Sequence, residues 1–210
     1  MAQLVIEFDW ARDPKGYHLV ETVRPMRVIR NGKGQAPKDF EHSRPLSTTD
    51  SLFRIFANIA TSPQGVLEFV ERFGPLTHDG GDPKIGDDVN LVISNANHMR
   101  QLLRYSSGLQ KGPHLPLNRH QATRSSLIHA QVIWDPATKA PKWILCPATL
   151  LDALWLQLGQ ALTSGGRISQ CQHCGSWFEA GRKTGRRLDS KFCCDEHRSA
   201  FNSLKRSREK

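Results

Sequence analysis

Long apolar runs are missing from this 210-residue chain, and none approaches the ~20 residues that a membrane-spanning helix needs. Met1-Ala-Gln-Leu-Val-Ile-Glu-Phe-Asp9 lacks the basic start and the apolar stretch of a secretory signal, so a cytoplasmic protein with no membrane partner is expected. Cysteine is scarce, with five in all, an odd number with four of them near the C-terminus. That excludes an ordinary disulfide framework and suits a metal site in a reducing compartment. The fifth, Cys146, reads as a buried core thiol at the end of a strand. No nucleophile motif, phosphate-cradling glycine loop, open metal triad or internal repeat is present. An enzyme would need its site upstream, around His78, Asp79 and Asp82. That Asp-, Gly- and Pro-rich stretch also reads as a polar turn.

A hydrophobic share of 38% and a charged share of 23% fit a globular protein. Net charge is +9 and unevenly spread. Residues 167–210 hold 11 Lys/Arg against 5 Asp/Glu, a net of +6, and the rest of the chain holds 18 against 15, a net of +3. So concentrated a positive field favours polyanions through counterion release from phosphates, although a basic tail can also be merely solvated.

The same stretch carries Cys171-Gln-His-Cys174, then eighteen residues, then Cys193-Cys-Asp-Glu-His197. Two close pairs separated by a loop bring four donors to a tetrahedral Zn²⁺ with little chain entropy to lose. The expected ligands are Cys171, Cys174, Cys193 and His197. Cys194, in place of Cys193 or His197, and His173 are the rival donors. The alternative, thiols used for redox work, lacks a thioredoxin-like context around Cys-x2-Cys. Four protein ligands leave no open position, so a single zinc ion here would be structural.

Upstream, periodicity gives the following elements. Residues 2–10 alternate as a strand, Asp13–Gly16 turn, and Tyr17–Val23 pair back. Residues 30–47 are expected to form an exposed loop. Helices are expected over Thr48–Thr61, Gln64–Phe73 (stopped by Gly74-Pro75) and Asp87–Tyr105, the last with His98 off its buried stripe. His114 and His120 lie in a Gly/Pro-rich connection and stay unassigned. Ser126–Trp134 and Pro141–Cys146 form a hairpin, and a helix opens near Pro147 with Leu150, Leu154, Leu158 and Leu162 on one side. Ser164-Gly165-Gly166 is the natural boundary. The expected fold class is α+β: an α+β domain over residues 1–165, then a small treble-clef-like zinc finger over 167–210.

Within the finger, Gly175 permits the knuckle turn, Trp177-Phe178 and Ser190–Phe192 are expected as two short strands, and Gly181–Arg187 is the basic turn between them. A helix from about Cys193 puts Cys193 and His197 on one face. It extends to Phe201 and Leu204, expected to pack on Trp177 or Phe178. Arg182, Lys183, Arg186 and Arg187 on the turn, and Arg198, Lys205 and Arg206 on the helix, are the candidate nucleic-acid contacts.

Cys-x2-Cys-Gly-x2-Phe, a variable loop, then Phe-Cys-x3-His-Arg resembles the short treble-clef fingers of bacterial proteins, nearest the CGNR zinc fingers that follow an α-rich ABATE domain. The resemblance covers residues 171–206, with Cys194-Asp-Glu-His197-Arg198 standing where that group has Cys-Gly-Asn-Arg. It implies nucleic-acid binding, DNA more than RNA, in a transcriptional regulator. Treble clefs also dock proteins, so a protein partner is the alternative.

Overall fold

The structure, a computed structural model, describes residues 5–6, 8–21, 25–31, 40–44, 51–77, 86–108, 128–163, 167–181 and 184–208. It is α+β, with short sheets set around a group of helices. Strands β1 (Val5–Ile6), β2 (Trp10–Arg12), β3 (Tyr17–Val20), β4 (Arg27–Arg30) and β5 (Glu41–Ser43) come first. The strand expected over 2–10 is thus split, and β3 does not pair back onto it. The turn is present, with Gly16 N–H donating to Asp13 O at 3.0 Å. It leads β3 to β4 instead, in register Tyr17↔Arg30. The cause lies in two aromatic anchors. Trp10 Nε1 donates to Pro75 O at 2.7 Å and draws β2 to the helices, whereas the buried Tyr17 accepts the Asp13 N–H at 2.9 Å.

β2 instead pairs with β5, Trp10↔Ser43, inside the stretch expected to be loop. All three β5 residues are exposed, so the strand is held by its backbone and carries no hydrophobic signature. A further strand, β6 (Asp87–Asp88), joins β4. The Asp87 carboxylate, 1% exposed, accepts from Leu76 N at 2.5 Å, Thr77 N at 2.9 Å and Thr77 Oγ1 at 2.6 Å. Leu76 O in turn accepts from Leu151 N at 3.0 Å. One buried carboxylate thereby joins a sheet edge to the start of a distant helix.

The helices are α1 (Leu52–Ala57), α2 (Pro63–Phe73), α3 (Val89–Ser106) and α4 (Leu150–Thr163). α1 ends four residues earlier than expected, where the Arg100 guanidinium donates to the Ala57 and Ile59 carbonyls, and the expected start at Thr48 lies outside the described residues. α2 begins with Ser62 capping Gly65 N–H at 3.2 Å and stops at Gly74, φ 90, where a Cβ would press on Trp10. Asp88 caps α3. Pro147 is the last residue of a strand rather than the helix opener, and Thr149 is the cap of α4, with Asp152 N–H donating to Thr149 Oγ1 at 3.1 Å. His98 and Cys146 are half-buried, not exposed and buried as expected.

The expected hairpin is present as β7 (Ile128–Asp135) and β8 (Ala140–Pro147), and β1 lies parallel to β8. β9 (Arg167–Gln170) pairs antiparallel with β10 (Trp177–Ala180), and α5 (Asp195–Arg208) ends the chain. The main core is formed by Phe53, Phe56, Phe69, Met99, Leu103 and Leu154 from four helices, and it includes Ile168 and Trp177 from β9 and β10. Among the described residues no helix is long and apolar enough to cross a membrane.

Burial pushes the Tyr17 hydroxyl up to about 12 from 10.0. The neutral phenol is therefore the folded form, and its contribution to stability is fully present below pH 10 and lost as pH rises from 10 through 12. Tyr17→Phe should lower stability by about 1 kcal/mol at neutral pH, since the Asp13 N–H loses its acceptor, and flatten this alkaline loss. Urea melts of both proteins across that range check it.

Candidate metal centre

The centre is built on a hairpin with two working faces. In the β9–β10 register Trp177 pairs with Gln170, Phe178 with Ser169, Glu179 with Ile168 and Ala180 with Arg167. Strand alternation sends Ile168 and Trp177 to one side and Phe178 and Ala180 to the other. The first pair enters the main core. The second lies with Cys171 in a small cluster that Phe192 and Cys193 complete.

Between the strands, residues 171–176 make the knuckle. Gly175 N–H donates to Cys171 O at 2.9 Å, and Cys171 N–H to Ser176 O at 2.9 Å. Gly175 sits at φ 73, the left-handed region that a side chain disfavours. The expected strand at Ser190–Phe192 is absent. That segment is irregular and gives the Lys191 carbonyl to Gln172 N–H at 3.0 Å. β10's partner is β9, upstream of the knuckle, because Ile168 has core to bury and Lys191 is exposed. The basic turn over 181–187 therefore follows the hairpin instead of joining two strands, and a Gly181↔Arg186 bridge closes it.

Cys193 ends the irregular segment, and α5 starts two residues later. One helical turn on from Cys193, His197 returns beside it. Cys171, Cys174, Cys193 and His197 then each offer one donor atom, all within 4.8 Å of one another. Cys174 Sγ and Cys193 Sγ are 3.8 Å apart. Metal–sulfur bonds of about 2.3 Å in a tetrahedron set that edge at roughly 3.8 Å. His197 presents Nδ1, 2.8 Å from Cys193 Sγ and 3.9 Å from Cys171 Sγ, which bracket the roughly 3.6 Å of a sulfur–nitrogen edge. Three thiols and an imidazole at these separations can hold one metal ion, and the donor set is consistent with zinc.

Of the rival donors, Cys194 Sγ lies 4.0 Å from Cys193 Sγ but is outside this group of four. The His173 ring leans on the His197 ring at 4.9 Å between centroids. Burial opposes ionisation of Cys171, but backbone N–H groups of Cys174, Cys193 and His173 aim at its sulfur and bring it down to about 6. Cys193, desolvated and next to the Cys171 and Cys174 thiols, is pushed up to about 12. The knuckle thus prepares one thiolate in advance, and an entering cation would displace the remaining protons.

No protein-family model, curated protein or solved structure matches the chain. Its functional reading therefore stands on the residues themselves.

Arg186 and Arg187 are exposed on the turn, and the Arg186 guanidinium sits 5.9 Å from the Phe178 ring centroid. On α5, Arg198 pairs with Asp195 at 3.1 Å, while Lys205 and Arg206 are exposed. Arg182 and Lys183 lie outside the described residues, as do His78, Asp79, Asp82, His114 and His120. Phe201 meets Phe192 at 5.3 Å instead of Trp177 or Phe178, and Leu204 is 53% exposed. The expected packing fails because Trp177 faces the other way and Phe192 takes the place beside Phe178.

Two outcomes follow for solution work. Purified protein should carry one zinc per chain by elemental analysis, reduced to a small fraction by Cys174→Ser and by His197→Ala. Trp177→Ala, in the main core rather than among the donors, should cost about 3–5 kcal/mol and weaken zinc retention as well, read by chemical denaturation and competition with a chromogenic chelator.

Proposed function

We propose that the chain is a cytoplasmic zinc-finger nucleic-acid-binding protein, a DNA-binding transcriptional regulator, in which one structural zinc ion on Cys171, Cys174, Cys193 and His197 orders a basic finger. The observation that carries this reading is the form of α5. Its first turns are tied to the metal cluster through His197, and residues 202–207 are all exposed. Arg198, Asn202, Lys205 and Arg206 recur at helical spacing along one side. A 14-residue helix is about 21 Å long, enough to lie in a DNA major groove.

Arg186 and Arg187, joined by Arg182 and Lys183 from the same turn, supply a second set of phosphate contacts on this reading. On this reading residues 171–206 form a finger of the CGNR type. Zinc acts by geometry alone here: four protein donors leave no position for substrate or activated water. Exposed Leu188 (55%) and Leu204 (53%) favour one other use of the same surface, docking a protein partner.

Fluorescence anisotropy of labelled duplex DNA and single-stranded RNA, against zinc-loaded protein at low and moderate salt, separates the two. Binding should be tighter to DNA, fall steeply with salt and disappear in His197→Ala. Arg198→Ala, Lys205→Ala and Arg206→Ala should each lower the salt slope by about one. Intact protein that binds neither polymer even at low salt would leave the docking use.

A further inference from the structure

The β7–β8 ribbon carries a second surface of a different chemistry. In its register Ile128 faces Pro147, Ala130 faces Leu145, Val132 faces Trp143 and Trp134 faces Pro141. Directly opposed residues point to the same side of an antiparallel pair, so these four pairs share one face, wholly apolar and without charge. The other face is mixed, with His129, Gln131, Asp135 and Lys142 around Ile133 and Ile144.

A half-covered antiparallel sheet ordinarily turns its apolar side to the core. Here the mid-strand residue that is buried, Ile144 at 4% exposed, belongs to the mixed face. Most of the apolar face looks outward, with Trp134 65%, Trp143 63%, Val132 54% and Ile128 39% exposed, while Leu145 is half-buried and Pro147 at its end is buried. Scattered exposed apolar residues are common, but two open tryptophans joined by a valine on an uncharged strip form a contiguous patch.

We propose that this face is a homodimer interface, in which the β7–β8 ribbons of two copies of the chain pack face to face about a two-fold axis near Val132. Charge decides against polyanionic and charged occupants. The chain is strongly positive, yet this face is neutral, so a polyanion or a charged peptide gains nothing on it. A second copy offers the same apolar strip and needs no other complement, as an isologous contact requires.

Area agrees with this occupant. Two tryptophans open to this degree, with Val132 and Ile128, leave roughly 450 Å² of apolar side chain to cover on each protomer. Pairing them removes roughly 900 Å² before the rim is counted, near the ~1,000 Å² that marks a biological interface. The interface does not depend on what the finger binds.

Sedimentation velocity of the intact zinc-loaded chain, free of nucleic acid and across micromolar concentrations, tests this. The protein should shift from monomer to dimer, and Val132→Lys combined with Trp134→Lys should weaken the dimer at least about thirtyfold. Both side chains are more than half exposed, so the variant should fold, and its circular dichroism and melting check that. Gln131→Lys, on the opposite face, should leave dimerisation unchanged. The proposal is overturned by a wild type that stays monomeric throughout, or by a dimer that the double variant does not weaken. A monomer that instead attaches to phosphatidylcholine vesicles through Trp134 also overturns it.

Discussion

The hairpin of β9 and β10 is a single ribbon with two obligations, and the C-terminal part of the chain depends on both being met. Ile168 and Trp177 must reach the helical core, and Phe178, Ala180 and Cys171 must close over the donor cluster. Strand alternation allows this in only one register, since a slip of one residue would exchange the two faces. The register in turn fixes where the knuckle stands, and hence where Cys171 and Cys174 can meet Cys193 and His197. Burial of a tryptophan and closure of a metal site are therefore coupled through backbone hydrogen bonds.

The pattern repeats elsewhere at smaller scale. Asp87 holds the backbone of residues 76–77, and Leu76 holds the start of α4. Trp10 ties β2 to the end of α2, where Gly74 leaves room for its ring. Strands of two to four residues cannot stand alone, and β2, β3 and β6 are each kept in place by a polar contact or aromatic anchor. Binding surfaces can then be carried on the outside without serving the core. The exposed side of α5 and the outer face of β7–β8 both stand clear of the core in this way.

What could be read from the chain follows the range of the interactions. The donor spacing around Cys171 and Cys193 is local, and the structure brings those same four atoms together. α2 and α3 repeat apolar residues over three or more turns, so their limits fall within two residues of expectation. The β7–β8 hairpin is likewise local. The partners of β2, β3 and β10 were not legible, because they are chosen by Trp10, Tyr17 and Ile168 packing against distant helices. β5 has three exposed residues and nothing periodic to find. Leu204 of α5 continues the stripe of His197 and Phe201 yet lies exposed, since helical spacing gives a stripe but not the neighbour that will cover it.

Small zinc fingers are often thought of as cassettes, passed between proteins by recombination because each folds around its own ion. Trp177 sets the donor cluster here apart from such a cassette. A hairpin that lends its largest side chain to a helical core cannot be lifted out without leaving a hole behind and an uncovered indole ahead. Transfer to another protein would need a recipient with a matching socket between its helices. Finger and host would then accumulate substitutions as partners, the socket around Trp177 changing only in step with the hairpin that fills it.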